Sequence, residues 1–255
     1  MSSPVSPSKI CATARLLAAF PAFSGLDREM LARLGAQSLR LQRARGDALF
    51  EQGAPAEALY LITSGIVKLS RGLPPDETQL MGLFGPRDCI GGFSLDATAL
   101  HSASAHAASE FVEAWQVSAT ALREGVAEDP RLLTALLRAA TSFSEVLTAK
   151  IDVLGGGSVP KRLARLFVML SERFGDELEG GEWVIPVPLS RRELSLLVGS
   201  CMESVIRVVS VWQKQGLLRT GSSGFELLAP RAFHELASGA ESDPLVRAPA
   251  TAWSA

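Results

Sequence analysis

The sequence predicts an α+β protein in which a β-roll, a long helix and a helix-turn-helix with a hairpin wing follow one another along the chain. Three observations carry this prediction. Short apolar runs punctuated by glycine-containing turns begin at Gly46 and continue to Val117, the texture of a small barrel or roll. An apolar three-four spacing then runs from Pro130 to Leu154 and stops at Gly155-Gly156-Gly157. Two Ser-x-x-Glu patterns, Ser190–Glu193 and Ser200–Glu203, follow with Gly199 between them.

Composition bounds the function. The 255 residues suffice for about two domains, and the 47% hydrophobic content allows sizeable cores. A net charge of -2 carries no whole-chain basic signal, so any charge that meets nucleic acid must be local. Cys11, Cys89 and Cys201 are odd in number, far apart and without a C-x-x-C pair. That argues against a disulfide framework and against zinc or iron–sulfur sites, and it fits a reducing cytoplasm. No apolar run reaches the ~18 residues of a membrane span. Arg15 and Pro21 interrupt the apolar stretch Ile10–Phe23, so neither a signal peptide nor a membrane partner is expected.

Along the chain, residues 1–8 are Ser/Pro-rich and read as disordered. Helical spacing of Leu16, Phe20, Phe23, Leu26, Met30, Leu31 and Leu34 predicts helix from Leu16 to about Leu41, broken near Pro21 and Gly25. Leu59–Ile62 and Ile66–Leu69 flank Thr63-Ser64-Gly65 and predict a hairpin, while Phe111–Val117 alternates like a half-buried strand. Phe111 and Trp115 are expected to pack the barrel. Leu133, Leu136, Ala140, Phe143, Leu147, Ile151 and Leu154 follow a near-heptad, the pattern of a helix packed along a partner helix. An amphipathic helix lying on its own barrel is the alternative. The three glycines read as a hinge, after which Ser158 and Pro160 start a further amphipathic helix over 161–173.

Each Ser-x-x-Glu can satisfy two orphan amides at a helix start, and Gly199 suits a turn that needs positive φ. A helix over about 191–198, a turn and a second helix over about 201–215 follow. In the second helix Val205, Val208, Val209 and Trp212 form the buried stripe, leaving Glu203, Ile206, Arg207, Ser210 and Lys214 opposite. Gly216–Leu228 reads as the wing.

The stretches Gly46–Gly53 and Leu59–Leu69 resemble the sensor barrel of the CRP/FNR superfamily. Lys161–Leu166 resembles the helix that enters its DNA-binding domain, and Leu189–Leu194 with Val198–Val208 resembles its helix-turn-helix. The resemblance spans roughly residues 16–235. It implies a cyclic-nucleotide-binding-like β-roll, a long dimerisation helix and a winged helix-turn-helix in a homodimeric transcription regulator. The implied divisions are a disordered tail (1–15), sensor roll (16–129), dimerisation helix and hinge (130–157), DNA-binding domain (158–235) and C-terminal tail (236–255). Glu203 and Arg207 match the pair with which the family reads a TGA core. Arg can grip guanine O6 and N7, and Glu can accept from cytosine N4. The expected DNA-contacting set is Arg191, Arg192, Ser200, Met202, Glu203, Ile206, Arg207 and Lys214. Double-stranded DNA is the expected partner, with RNA polymerase a candidate.

The chain departs from the pattern at two places. Met202 stands where cAMP-binding members carry an arginine just before the Glu. The family's Gly-Glu is Gly91-Gly92 here, and Ser102-Ala103 stand where Arg-Ser is expected. The cradle for a cyclic phosphate has thus lost its cation, and cAMP is disfavoured. Gly91, Gly92, Phe93, His101, Ser102 and Ala103 remain the effector-pocket candidates for an unidentified signal. Haem held by His101 or His106 stays open as an alternative, as does redox control through Cys201. With only three histidines, the third being His234, a cupin-like metalloenzyme lacks its ligands, and no catalytic or metal-binding residues are expected. The rival reading is a sensing module that acts through protein partners rather than DNA.

Overall fold

The computed structural model describes residues 7–74, 77–93 and 96–239, which divide into two compact units between Leu147 and Thr148. In the first unit, two four-stranded antiparallel sheets form a roll. One sheet orders β1 (Ser38–Ala44), β8 (Phe111–Ser118), β3 (Ala58–Ser64) and β6 (Cys89–Gly91). The other orders β2 (Ala48–Phe50), β7 (Ser104–Ala107), β4 (Val67–Leu73) and β5 (Glu77–Phe84).

Strand β3 explains the layering. Its residues alternate between faces. Tyr60 and Ile62 join Phe50, Val67, Leu69, Phe84 and Ile90 inside the roll. Leu59 and Leu61 point the other way and meet a helical layer. That layer is α1 (Pro7–Ala18), α2 (Arg28–Ala36), α3 (Ala119–Glu128) and the start of α4 (Arg131–Leu154). A strand covered on both faces reads as a continuous apolar run, which is what Leu59–Ile62 shows. Asp27 caps α2 by accepting from the Met30 amide at 2.9 Å, and it also takes Arg131 Nη2 at 2.5 Å.

Four expectations need correction ahead of α4. Residues 7–15, expected within a disordered tail, are helical; residues 1–6 lie outside the described residues. The chain at 38–41 is strand, because Ser38–Ala44 pairs in register with Val117–Phe111. Runs 59–62 and 66–69 do not form a hairpin. β3 pairs with β8 and β6, whereas β4 pairs with β5 and β7, so the turn at Ser64–Ile66 carries the chain from one sheet to the other. Phe111 is exposed at the start of its strand, while Trp115 is half-buried against the helical layer.

Helix α4 carries two adjacent heptad stripes. Leu132, Leu136, Ala139, Phe143, Val146, Lys150 and Val153 are buried or half-buried. Phe143 stacks on Phe84 at 5.1 Å and meets Phe93 at 5.2 Å. Leu136 and Phe143, expected in a partner-facing seam, therefore face the protein's own interior. One residue further round, Leu133, Leu137, Ala140, Ser144, Leu147, Ile151 and Leu154 form the second stripe, in which Leu137 and Ile151 are 60% and 66% exposed. No single helix among the described residues is long and apolar enough to cross a membrane.

Candidate nucleic-acid interface and effector cavity

The second unit is built around Phe167 of α5 (Val159–Phe174). Its ring meets Trp212, Phe225 and Phe233 at 6.2, 5.1 and 5.8 Å. A sheet of order β11 (Leu218–Thr220), β12 (Phe225–Leu227), β10 (Trp183–Ile185) and β9 (Asp176–Glu177) and the helix α8 (Pro230–Ser238) close this core. Ahead of α5, Gly156 and Gly157 have φ of 96° and 94°, a turn that a side chain would strain. Arg165 fastens it by donating to the Gly156 and Ala237 carbonyls, both at 3.2 Å.

Helices α6 (Arg191–Val198) and α7 (Met202–Lys214) cross at 108°. The capping box at the start of α6 is complete. Ser190 Oγ accepts from the Glu193 amide at 3.1 Å, and the Ser190 amide donates back to Glu193 Oε2 at 2.8 Å. Gly199 closes the helix in the left-handed region at φ 58° and ψ 53°. The second box is not made. The Ser200 amide donates to the Ser195 carbonyl at 3.0 Å, which keeps Ser200 in the turn. The N-cap of α7 is therefore Cys201, and Glu203 sits one position too early to reach back as a box partner. The Cys201 thiol lies 3.1 Å from Ser204 Oγ, and the hydroxyl and amide of Ser204 hold it below the usual thiol range.

The frame of α7 sorts its side chains. Val205, Val208, Val209 and Trp212 are buried. Met202, Glu203, Ile206, Arg207 and Lys214 are exposed together on the opposite side. At ~100° per residue, Glu203, Arg207, Ser210 and Lys214 share an arc about 60° wide, with Ile206 and Met202 on one flank. Arg192 is exposed at the start of α6; Arg191 is half-buried, and burial lowers its affinity for a proton. Ser200 is half-buried in the turn. Sequence reasoning missed Gln213, whose Nε2 donates to Thr220 Oγ1 at 2.9 Å and ties the wing to α7. A polar pair seven residues apart, across a helix end and a strand, has no periodic signature.

In the first unit, Gly91, Gly92, Phe93, His101, Ser102 and Ala103 line one cavity of about 140 Å³ together with Phe50, Leu69 and Phe143. Backbone bonds place His101: its amide donates to the Ala54 carbonyl, and its own carbonyl accepts from the Gly53 amide, both at 2.8 Å. Its imidazole stacks on Phe50 at 3.9 Å and 13°. Burial lowers its pKa below the usual 6.5. A Cβ on Gly92 would lie 2.7 Å from the Ala58 carbonyl oxygen and 3.0 Å from that of Ala56, so this backbone leaves no room for a carboxylate side chain there. None of the described lining residues is a lysine or arginine. The described lining offers a hydroxyl at Ser102 and an imidazole at His101 but no cation to meet a cyclic phosphate. The cavity is also too small for a haem. His106 lies on the neighbouring strand β7, 3.3 Å from Glu51, and no group of three or more metal-ligating side chains occurs among the described residues.

Comparison with known proteins places these two sites in context. Residues 40–129 match the cyclic nucleotide-binding domain, and residues 161–236 match the Crp-like helix-turn-helix domain. The chain is 30% identical over 204 residues to a CRP-like cAMP-activated global transcriptional regulator of Mycobacterium tuberculosis, covering 80% of this chain and 90% of that protein. It is 24% identical over 215 residues to the nitrogen fixation regulation protein FixK of Bradyrhizobium diazoefficiens, covering 84% and 89% of the two chains. Among solved structures, the c-di-GMP responsive global regulator CLP of Xanthomonas campestris superposes with a TM-score of 0.64 at 25% identity, covering 80% of this chain and 100% of that one. FixK2 from Bradyrhizobium japonicum shares the fold with a TM-score of 0.66 at 20% identity, covering 78% and 96%.

Proposed function

This chain belongs to the CRP/FNR family of transcription regulators, and from that premise we propose that it is a homodimeric, sequence-specific regulator that reads a TGA-containing palindrome. The observation that carries the reading is the sorting of α7. Its apolar face is spent on the core, and Glu203 and Arg207 are exposed one turn apart on the other. Arg207 grips the guanine of the core, Glu203 accepts from a cytosine amino group, and Met202 and Ile206 pack on thymine methyl groups. Arg191, Arg192 and Lys214 meet the phosphate backbone, while Ser200 sits at the turn that leads into the groove. The exposed stripe of α4 is the dimer seam, and two recognition helices then address major grooves one helical turn apart.

In this reading residues 16–129 sense the signal, 130–157 dimerise and 158–235 bind DNA, with RNA polymerase as a further partner. The effectors of these relatives, cAMP and c-di-GMP, are not carried over, because the described lining of the cavity holds no lysine or arginine. A gel-shift titration with a TGA palindrome tests the proposal. We expect a retarded complex that is lost on scrambling the TGA cores. A chain that retards neither DNA but binds its roll ligand would instead be a sensing module acting through protein partners.

A further inference from the structure

Helix α7 and the wing are joined by more than the chain between them. The turn after the helix fixes the start of β11: the Gly216 amide donates to the Gln213 carbonyl at 3.1 Å, and the Leu217 amide to the Trp212 carbonyl at 2.9 Å. At the far end of that strand Gln213 makes a second tie, its Nε2 donating to Thr220 Oγ1 at 2.9 Å. Gln213 is exposed, so water competes for its amide, and the bond acts on the angle of the wing more than on stability. The direction of the tie matters. At ~100° per residue, Gln213 falls on the same flank of α7 as Met202 and Ile206, within about 20° of each. The wing is thus bonded beside the reading face of the helix and not behind it. A helix is about 10–12 Å across and the major groove about 12 Å wide, so a hairpin held at the flank of α7 stands over the strand backbone. Arg219 and Glu226 face each other across this hairpin, on the side opposite the buried Leu218 and Leu227. Their ion pair holds a guanidinium whose side chain is 65% exposed. A guanidinium carries five donors, so the carboxylate leaves some free for a phosphate.

We propose that Gln213 is a positioning residue for DNA binding: through Thr220 it fixes the wing at the flank of α7, so that Arg219 meets a backbone phosphate beside the half-site. Gln213 itself reads no base and touches no phosphate; its effect passes through Arg219. The inference rests on the DNA-binding reading given above and adds a contact outside the set expected from the sequence.

The test titrates the full-length protein with the TGA-palindrome duplex at several salt concentrations. Gln213→Met keeps the length of the side chain without its donor, and Thr220→Val keeps the shape without the acceptor. Each should weaken binding about three- to tenfold and lower the salt slope by about two, one phosphate for each wing of the dimer. The ranking of base-substituted sites should stay the same, because the bases are read from Glu203 and Arg207. Thr220→Ser restores the hydroxyl and should recover most of the affinity and the slope. In an Arg219→Ala background Gln213→Met should have no further effect, since the group it positions is gone. A bond that served folding alone would lower the urea midpoint and leave the slope unmoved. The proposal is overturned if either isosteric variant keeps the salt slope of the unsubstituted protein, if Thr220→Ser behaves like Thr220→Val, or if the effects of Gln213→Met and Arg219→Ala add. Should Gln213→Met fail to fold, the comparison of Thr220→Val with Thr220→Ser decides. An unsubstituted protein that retards no DNA contradicts the regulator reading and this inference with it, whereas operator binding untouched by the variants contradicts only the role given to Gln213.

Discussion

The base reading proposed for α7 is tested one residue at a time. Arg207→Ala should cost ~1–3 kcal/mol of operator affinity and relax discrimination at the guanine, measured by competition with base-substituted sites. Arg192→Ala should weaken binding to all sequences alike and reduce the salt slope. Gly199 occupies φ 58°, and a Cβ there would come within 2.9 Å of Leu154 Cδ2. Gly199→Ala should therefore destabilise the second unit by about 1–2 kcal/mol in urea unfolding. His101 gives the pH prediction. Its folded-state pKa lies below its unfolded value near 6.5. Its contribution to stability is present above that value and is lost as pH falls through the folded-state pKa. The melting temperature should drop on acidification below pH 6.5, and His101→Phe should flatten that part of the profile. At this scale the exposure of Glu203 and Arg207 was readable from the sequence, because an exposed polar face follows directly from a 3.6-residue period. Phe50 was not, because its stack on His101 depends on long-range backbone bonds between His101 and Gly53–Ala54 that no local pattern reveals.

The elements show where local chemistry is sufficient and where tertiary pairing overrides it. Helix α6 forms where its capping box and terminal glycine predict, since every group involved lies within ten residues. The start of α7 does not: a tight turn returns the Ser200 amide to Ser195, and the cap moves to Cys201. The misread hairpin at 59–69 has the same origin. Two apolar strands joined by a glycine turn look identical whether they pair or part into two sheets, and only the partners β8 and β7 distinguish the cases. Helix α4 is the instructive element. Its stripes at 132–153 and 133–154 have the same spacing, so a heptad alone cannot say which one faces the protein's own roll. The structure separates their effects. Phe143→Ala removes a ring stacked on Phe84 and should cost about 2–4 kcal/mol of stability while leaving the oligomeric state unchanged. Leu137→Asp with Ile151→Asp should leave the fold intact and yield monomers by sedimentation, because both side chains are exposed in the single chain. An unchanged dimer in that double variant would place the seam elsewhere.

At the scale of the whole molecule, a family roll and a family helix-turn-helix are joined by one long helix, yet the two sites have diverged to different degrees. The α7 face exposes Glu203 and Arg207, the pair proposed to read the operator core. The roll cavity is lined by two glycines, His101, Ser102 and aromatic rings, with no lysine or arginine among the described lining residues. Met202 extends the contrast into the operator. It offers no donor for guanine O6 or N7, and with Ile206 beside it the groove-facing side suits a thymine methyl at the base outside the core. An unbiased selection of bound duplexes from a random pool, sequenced after several rounds, tests this account most directly. It should return a palindrome of TTGA half-sites spaced about one helical turn apart, with the guanine preference lost for Arg207→Ala. Recovery of GTGA half-sites, or no enriched motif at all, would contradict the reading face assigned to α7.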